Sequence, residues 1–170
     1  MKEGFVSAAP TEIDGNVFRL IAEEWMLVTA GDFQSWNTMT ASWGALGELW
    51  NKKVCFAFVR PQRYTRGFMD AATRFTLSFF PEESREALEF CGSHSGRDFD
   101  KAEATGLTPF EPAPGTVSFA QARLIVVARK IYTHDIDPGG FLDQDIADCY
   151  HSGDYHRMYV GEIQAVMRKA

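Results

Sequence analysis

Cysteine is scarce in this chain of 170 residues, which has three: Cys55, Cys91 and Cys149, widely spaced and without a C-x-x-C pair. An odd, scattered set argues against a disulfide framework and against a structural zinc site. Long hydrophobic runs are missing, and nothing approaches the ~18 apolar residues of a membrane span. The opening stretch MKEGFVSAAPTEIDG lacks the apolar core of a secretory signal. These two absences lead to the expectation of a cytoplasmic protein. Positive charge is in deficit, with a formal net charge of −6. That disfavours nucleic acid as a general partner, because neutralising phosphates needs a basic surface. No G-x-G-x-x-G follows a strand and no G-x-x-x-x-G-K-[ST] occurs, so Rossmann-type dinucleotide binding and P-loop chemistry lack support. Repeats and low-complexity segments are absent too. The one linker-like stretch, TPFEPAPG (Thr108–Gly115), is too short to divide the chain, which reads as a single domain over 1–170.

What is present is a series of short strand patterns. WMLVTA (Trp25–Ala30) ends at the turn signal Gly31-Asp32, and TMTASW (Thr38–Trp43) alternates hydroxyls with apolar side chains at the period of two expected of a strand. VCFAFV (Val54–Val59), FTLSFF (Phe75–Phe80), ARLIVVA (Ala122–Ala128) and RMYVGEIQAVMR (Arg157–Arg168) complete the set. Gly161 in the last of these marks a bulge or a close backbone approach. Trp25, leading an apolar strand, is expected in the core. Helices are few. One is expected over Pro81–Cys91 with Gly92 to end it, one over Arg66–Ala72 capped by Thr65, one from an Asp98 cap to Thr105, and one around Glu12–Glu23, interrupted by Gly15. Many strands without strict β-α-β alternation predict a mainly β fold, a barrel with helices around it.

Two neighbouring segments hold the chemistry. WNTMTASWGALGELW (Trp36–Trp50) has three of the four tryptophans, interleaved with Thr38, Thr40 and Ser42 and followed by Gly44 and Gly47. Val54–Val59 then leads into RPQRYTR, which places Arg60, Arg63 and Arg66 within seven residues. An arginine cluster alone is most simply a solvated turn; the strand before it changes the balance. Hydroxyls can donate to ring edges, indoles at Trp36, Trp43 or Trp50 can cover a flat face, and glycines admit close backbone. Arg63 offers a two-pronged grip on phosphate, and Thr65 with a helix start adds donors. Such a ligand has a flat apolar part, polar ring edges and a phosphate tail. FMN fits. Pyridoxal phosphate fits less well, because Lys52 and Lys53 are the only lysines near the strand.

Four blocks, WNTMTASWGALGELW, RPQRYTRGFMD, SGRDFDKAEATGL (Ser95–Leu107) and DYHRMYVGEI (Asp154–Ile163), together resemble the flavin reductase-like family of FMN-binding split barrels, near flavoredoxin, in the family's order. The resemblance implies a six-stranded antiparallel Greek-key barrel that forms a homodimer, with flavin near the subunit interface. It implies that Asn37, Met39, Thr40, Ala41, Ser42 and Trp43 lie along the ring and ribityl chain, and that Arg63, Tyr64 and Thr65 approach the phosphate. Ser95, Gly96 and Lys101 match a block that borders the flavin in the family. The segment GALGELWNKK departs from the paired prolines of many relatives. The implied function is an oxidoreductase of the NAD(P)H:flavin reductase type, with hydride passing to flavin N5 and NAD(P)H as a transient substrate. Donors over Thr38–Ser42 would stabilise charge on the reduced ring. The alternatives are a flavoredoxin-like electron carrier serving a redox partner protein, and a redox-inactive ligand-binding barrel.

His94 and His134 are isolated and read as structural. Asp148, Cys149, His151, Asp154 and His156 are close in sequence, yet HSGDYH matches no defensible zinc spacing, so no metal is expected. His156 falls in the DYHRMY block and is kept as the candidate active-site residue, beside the flavin or at the dimer seam. Cys55, in an apolar strand, reads as packing.

Overall fold

The computed structural model describes residues 3–170, with the side chain of Gln144 excepted. Its elements are β1 (Phe5–Ala8), α1 (Val17–Ala22), β2 (Met26–Asp32), β3 (Ser35–Ala41), β4 (Gly44–Leu49), β5 (Lys52–Val59), α2 (Thr65–Ala71), β6 (Arg74–Phe79), α3 (Arg85–Ser93), α4 (Lys101–Thr105), the two-residue pair β7 (Pro109–Phe110) and β8 (Ser118–Phe119), β9 (Leu124–Asp135) and β10 (Arg157–Lys169). Eight strands make one antiparallel sheet in the order β3-β2-β6-β9-β10-β5-β4, with β1 added to β10. The two ends of that path, β3 and β4, are joined by Ser42 and Trp43 alone. Three Cα steps reach at most about 11 Å, so the sheet has to curl until its edges meet. At the seam, a Cβ on Gly44 would lie 2.8 Å from Met26 Cε and 2.8 Å from Phe56 O, which is why β4 begins with glycine. This is the split barrel with flanking helices.

The period of two along each strand sorts side chains between two cores. Met26, Val28 and Ala30 of β2, Met39 and Ala41 of β3, and Leu124, Val126 and Ala128 of β9 fill the barrel with Phe75, Leu77, Phe79 and Tyr159. The alternate residues Leu27, Ile125 and Val127 face outward onto a second core with Leu88, Cys91, Phe110 and Phe119, which holds α3 and the β7–β8 loop against the sheet. Gly161 is both things foreseen for it. The β9–β10 register shifts between Val160 and Gly161, and a Cβ there would sit 2.6 Å from Phe75 and 2.7 Å from Ala128.

All six strands read from the sequence are in the sheet. The two it lacked are β1 and β4. The stretch from Gly44, whose two glycines carry no strand pattern, is a strand returning along β5 through a two-residue turn, with Trp50 and Asn51 both left-handed (φ 53° and 56°), the geometry that suits a right-twisted hairpin. Trp25 is only partly buried, packed against the second core rather than inside the barrel. Its φ of 67° turns the indole out of line with β2, where Nε1 donates to Ala22 O at 3.1 Å and the Arg85 guanidinium covers the ring at 4.0 Å. The helix around Glu12–Glu23 is a 3-10 turn at Pro10–Glu12 and then α1, capped by Asn16.

Gly92 does not end α3, which runs on to Ser93 after a 3-10 turn at Glu82–Ser84. Thr40 lies 3.3 Å from where its Cβ would be, so this glycine serves close packing of α3 on β3. Asp100, not Asp98, caps α4, accepting from Ala102 N and Glu103 N. Thr65 is the first residue of α2 rather than its cap; Tyr64 holds that place.

Candidate functional site

A cavity of about 390 Å³ opens between β3, the turn after β5 and the loop from α3 to α4. Strand β3 supplies Asn37 and Met39. The turn supplies Arg60, Gln62, Arg63, Tyr64 and Thr65, and the loop supplies Ser93 to Arg97, with Lys101 from the start of α4. The cavity thus gathers Asn37, Met39, Arg60, Arg63, Tyr64, Thr65, Ser95, Gly96 and Lys101 from three of the four blocks singled out in the sequence.

Asn37 is buried on the same side of β3 as Met39. Its Nδ2 donates to Thr65 Oγ1 at 2.7 Å and to Thr38 O at 3.3 Å. Its Oδ1 leaves no room for a side chain at residue 96, so Gly96 is there for the close approach. Lys101 is 5% exposed, and its Nζ donates to Thr38 O at 2.8 Å and Cys91 O at 2.7 Å. An ammonium has three donors, which leaves one for the cavity. Burial draws this lysine down to about 8, with Cys91 pulling it up and Arg63 pushing it further down.

The three arginines of the turn differ in their partners. Arg60 pairs with Asp154 at 2.5 Å and reaches Cys149 O at 2.9 Å. Arg66 pairs with Asp70 and Asp135. Arg63 donates to Gly92 O, and its pKa is lowered by burial and then by Arg60. Among the described residues no ion pair engages Arg63 or Lys101. The cavity therefore carries two cations held by carbonyls alone, a site of positive potential on an acidic protein.

The rest of the tryptophan-rich block lies elsewhere. Thr38 and Thr40 point to the outer face. Thr38 Oγ1 is 2.8 Å from Thr29 Oγ1, and Thr40 Oγ1 donates to Leu88 O at 2.5 Å, because α3 packs on that side. Ala41 is in the barrel core. Trp36 packs edge-on against Phe119 at 5.6 Å and borders a neighbouring cavity of about 470 Å³. Ser42 and Trp43 form the seam link, and the Trp43 indole lies 5.1 Å from the His156 ring. His156 is buried beyond Arg60, with Nδ1 2.9 Å from the Tyr150 hydroxyl. Burial, reinforced by Arg60, takes its pKa down to about 4, Asp154 opposing, so it is neutral at pH 7. Burial pushes the Cys55 thiol up to about 12, in keeping with a packing role. Arg97, Gln62 and Ser93 line the cavity without having been singled out, and so does His94, which the sequence reading took only as structural. Arg97 stood inside the SGRD block, and its charge was the available signal.

The barrel and its cationic cavity define a class, and the chain matches the flavin reductase-like domain over residues 18–170. It belongs to the flavin reductase-like family. Similar solved structures include an FMN-binding protein from Thermus thermophilus, at 23% identity and a TM-score of 0.67, covering 91% of this chain and 73% of that one. A flavoredoxin from Methanosarcina acetivorans is similar at 20% identity and TM-score 0.68, covering 94% and 75%. An NADH:FAD oxidoreductase from Streptomyces globisporus C-1027 is similar at 16% and 0.64, covering 85% and 75%. At such identities the likeness is one of fold. No curated protein matches the chain.

Proposed function

We propose that this protein is an FMN-binding oxidoreductase of the NAD(P)H:flavin reductase type. The observation that carries the reading is the pair of cations, Arg63 and Lys101, on one cavity without a carboxylate for either. Cations withdrawn from water without a counter-charge are costly, and an anionic ligand group offsets that cost. The Arg63 guanidinium suits a phosphate, which it can grip in two bonds.

Bound FMN would supply the redox chemistry, acceptance of hydride from NAD(P)H at N5. The chain's part is to bind and orient. Arg63 takes the phosphate, with Arg60 held behind it by Asp154. Met39 supplies an apolar contact. The Asn37 amide, fixed by Thr65, offers Oδ1 as an acceptor, and Lys101 offers its third N–H to a site of negative charge. Likeness to a flavoredoxin supports a second reading, an electron carrier without its own NAD(P)H site and with a redox partner protein. No helix among the described residues is long and apolar enough to cross a membrane, in keeping with a cytoplasmic reading. Family membership supports a homodimer, and the exposed, mutually packed rings of Trp50 and Tyr132 give such a contact apolar surface.

Purified protein should be yellow or become so with FMN, and should oxidise NAD(P)H with FMN present. Rapid bleaching by a protein donor but slow bleaching by NAD(P)H selects the carrier. A protein that binds no flavin overturns both readings.

A further inference from the structure

At the start of α3, Arg85 walls a separate space of about 630 Å³ that lies between α1, the turn after β6 and Arg123. It shares no lining residue with the cavity that holds Arg63. Three arginines and four acids border it. Arg19 pairs with Glu23, and Arg123 pairs with Glu24. Among the described residues no ion pair engages the remaining three, Arg85, Asp14 and Glu82. The Arg85 guanidinium covers the Trp25 indole at 4.0 Å, and its Nη2 donates to Glu23 O at 2.5 Å. Its Nη1 is buried with no hydrogen-bond partner, the one such side-chain nitrogen or oxygen among the described residues. Buried polar groups are almost always hydrogen-bonded, so this donor calls for an acceptor.

We propose that this second cavity binds a free α-amino acid, with its carboxylate on Arg85 and its ammonium group on Asp14 and Glu82. The volume is within the roughly 300–1,000 Å³ range of small-molecule pockets. The choice of a zwitterion follows from the charges left over. A plain anion would meet four carboxylates on the wall, and a plain cation would meet three guanidinium groups. A ligand with both signs on one carbon answers both. Glu82 stands three residues before Arg85 without pairing with it, so an acid and a cation are offered side by side. A guanidinium can take a carboxylate in two bonds. Nη2 spends one N–H on Glu23 O, and its other N–H forms the fork with Nη1. The guanidinium brings Nη1 to the cavity by sliding along the indole, since a cation–π contact has no fixed bond direction. Leu20, Phe80 and Pro81 give the wall an apolar part, which suits an aliphatic side chain.

L-Leucine is the probe. Its controls are isocaproate, which lacks the amino group, and isoamylamine, which lacks the carboxylate. Calorimetric titration should show leucine binding to the wild type, with a Kd about tenfold or more below that of either control. Arg85→Gln and Glu82→Gln should each raise the leucine Kd about tenfold. Glu82 is exposed, so its variant decides the matter if Arg85→Gln fails to fold. Leucine should also change the tryptophan emission, and Trp25→Phe should abolish that change. A wild type that binds no leucine overturns the inference, as does a control that binds as tightly as leucine. Unchanged leucine affinity in folded Arg85→Gln or in Glu82→Gln overturns it too, and so does an emission change that survives Trp25→Phe. None of these outcomes bears on the flavin reading, because the two cavities have separate walls.

Discussion

Lys101 and Arg63 end on consecutive carbonyls of one helix, Lys101 Nζ on Cys91 O at 2.7 Å and the Arg63 guanidinium on Gly92 O. The C-terminus of α3 carries partial negative charge, which accounts for their being drawn there. That charge amounts to about half an electron, so two full cations exceed it. The surplus faces the cavity and makes its affinity for anions depend on pH.

Lys101 has its pKa drawn from 10.5 to about 8. A phosphate nearby favours the charged ammonium. FMN affinity should therefore be full below about pH 8 and fall as pH rises above it toward the higher pKa that Lys101 has in the complex. Riboflavin, without the phosphate, should show a much flatter profile. Dissociation constants for both, measured by flavin fluorescence across this range, decide the matter. Parallel profiles would detach Lys101 from the phosphate.

Replacing Arg63 by alanine should weaken FMN by ~1.5–3 kcal/mol, the range of a charge-assisted hydrogen bond, and riboflavin by less. Equal losses for the two ligands would mean that Arg63 acts only by holding the end of α3.

Gly161→Ala should destabilise the barrel by about 1–3 kcal/mol, the cost of overpacking a filled core. The new methyl would press on Phe75 and Ala128 at 2.6 and 2.7 Å, in the middle of the β9–β10 bulge. Urea denaturation measures this directly, and an unchanged midpoint would mean that the bulge relaxes.

Asp70 ties α2 to β10, receiving the Tyr159 hydroxyl at 2.5 Å and Arg157 at 3.2 Å. Burial works to raise its pKa, but Tyr159, Arg66 and Arg157 prevail and hold it below 3.8. Its contribution is present above that value and lost as pH falls through the folded pKa. Asp70→Asn should cost about 1 kcal/mol at neutral pH, a modest figure because the carboxylate is partly solvated. The difference from the wild type should shrink near pH ~3. Urea midpoints at the two pH values check both points.

His156, with its pKa near 4, should show no titration of its ring proton signals between about pH 5.5 and about pH 8. A midpoint near 6.5 in the NMR shifts would place the ring in water rather than between Trp43 and Tyr150.

Strands with clean alternation or β-branched runs, such as those around Val28, Val126 and Val160, were legible because the period of two reports burial directly. Strand β4 was not. Its GALGEL is half exposed and has two glycines, and Gly44 is needed only because Met26 and Phe56 close on it from elsewhere in the chain. The site was legible as a set of blocks. Which hydroxyls turn toward the cavity was not: Thr38 and Thr40 obey the same alternation as Asn37 and Met39, and only the packing of α3 on β3 decides which parity is inside.

By itself the sequence determined the mainly β character, six of the sheet strands and the arginine turn that walls the cavity, because these follow from local periodicity and from charge within short segments; Ser95, Gly96 and Lys101 were legible only through the family resemblance. Arg66 has a partner four residues on in Asp70, but the tertiary structure alone decided that Arg60 is neutralised while Arg63 is not. The partners Asp154, Asp135 and Gly92 arrive from distant segments, and only folding determines which of them lie within bonding reach.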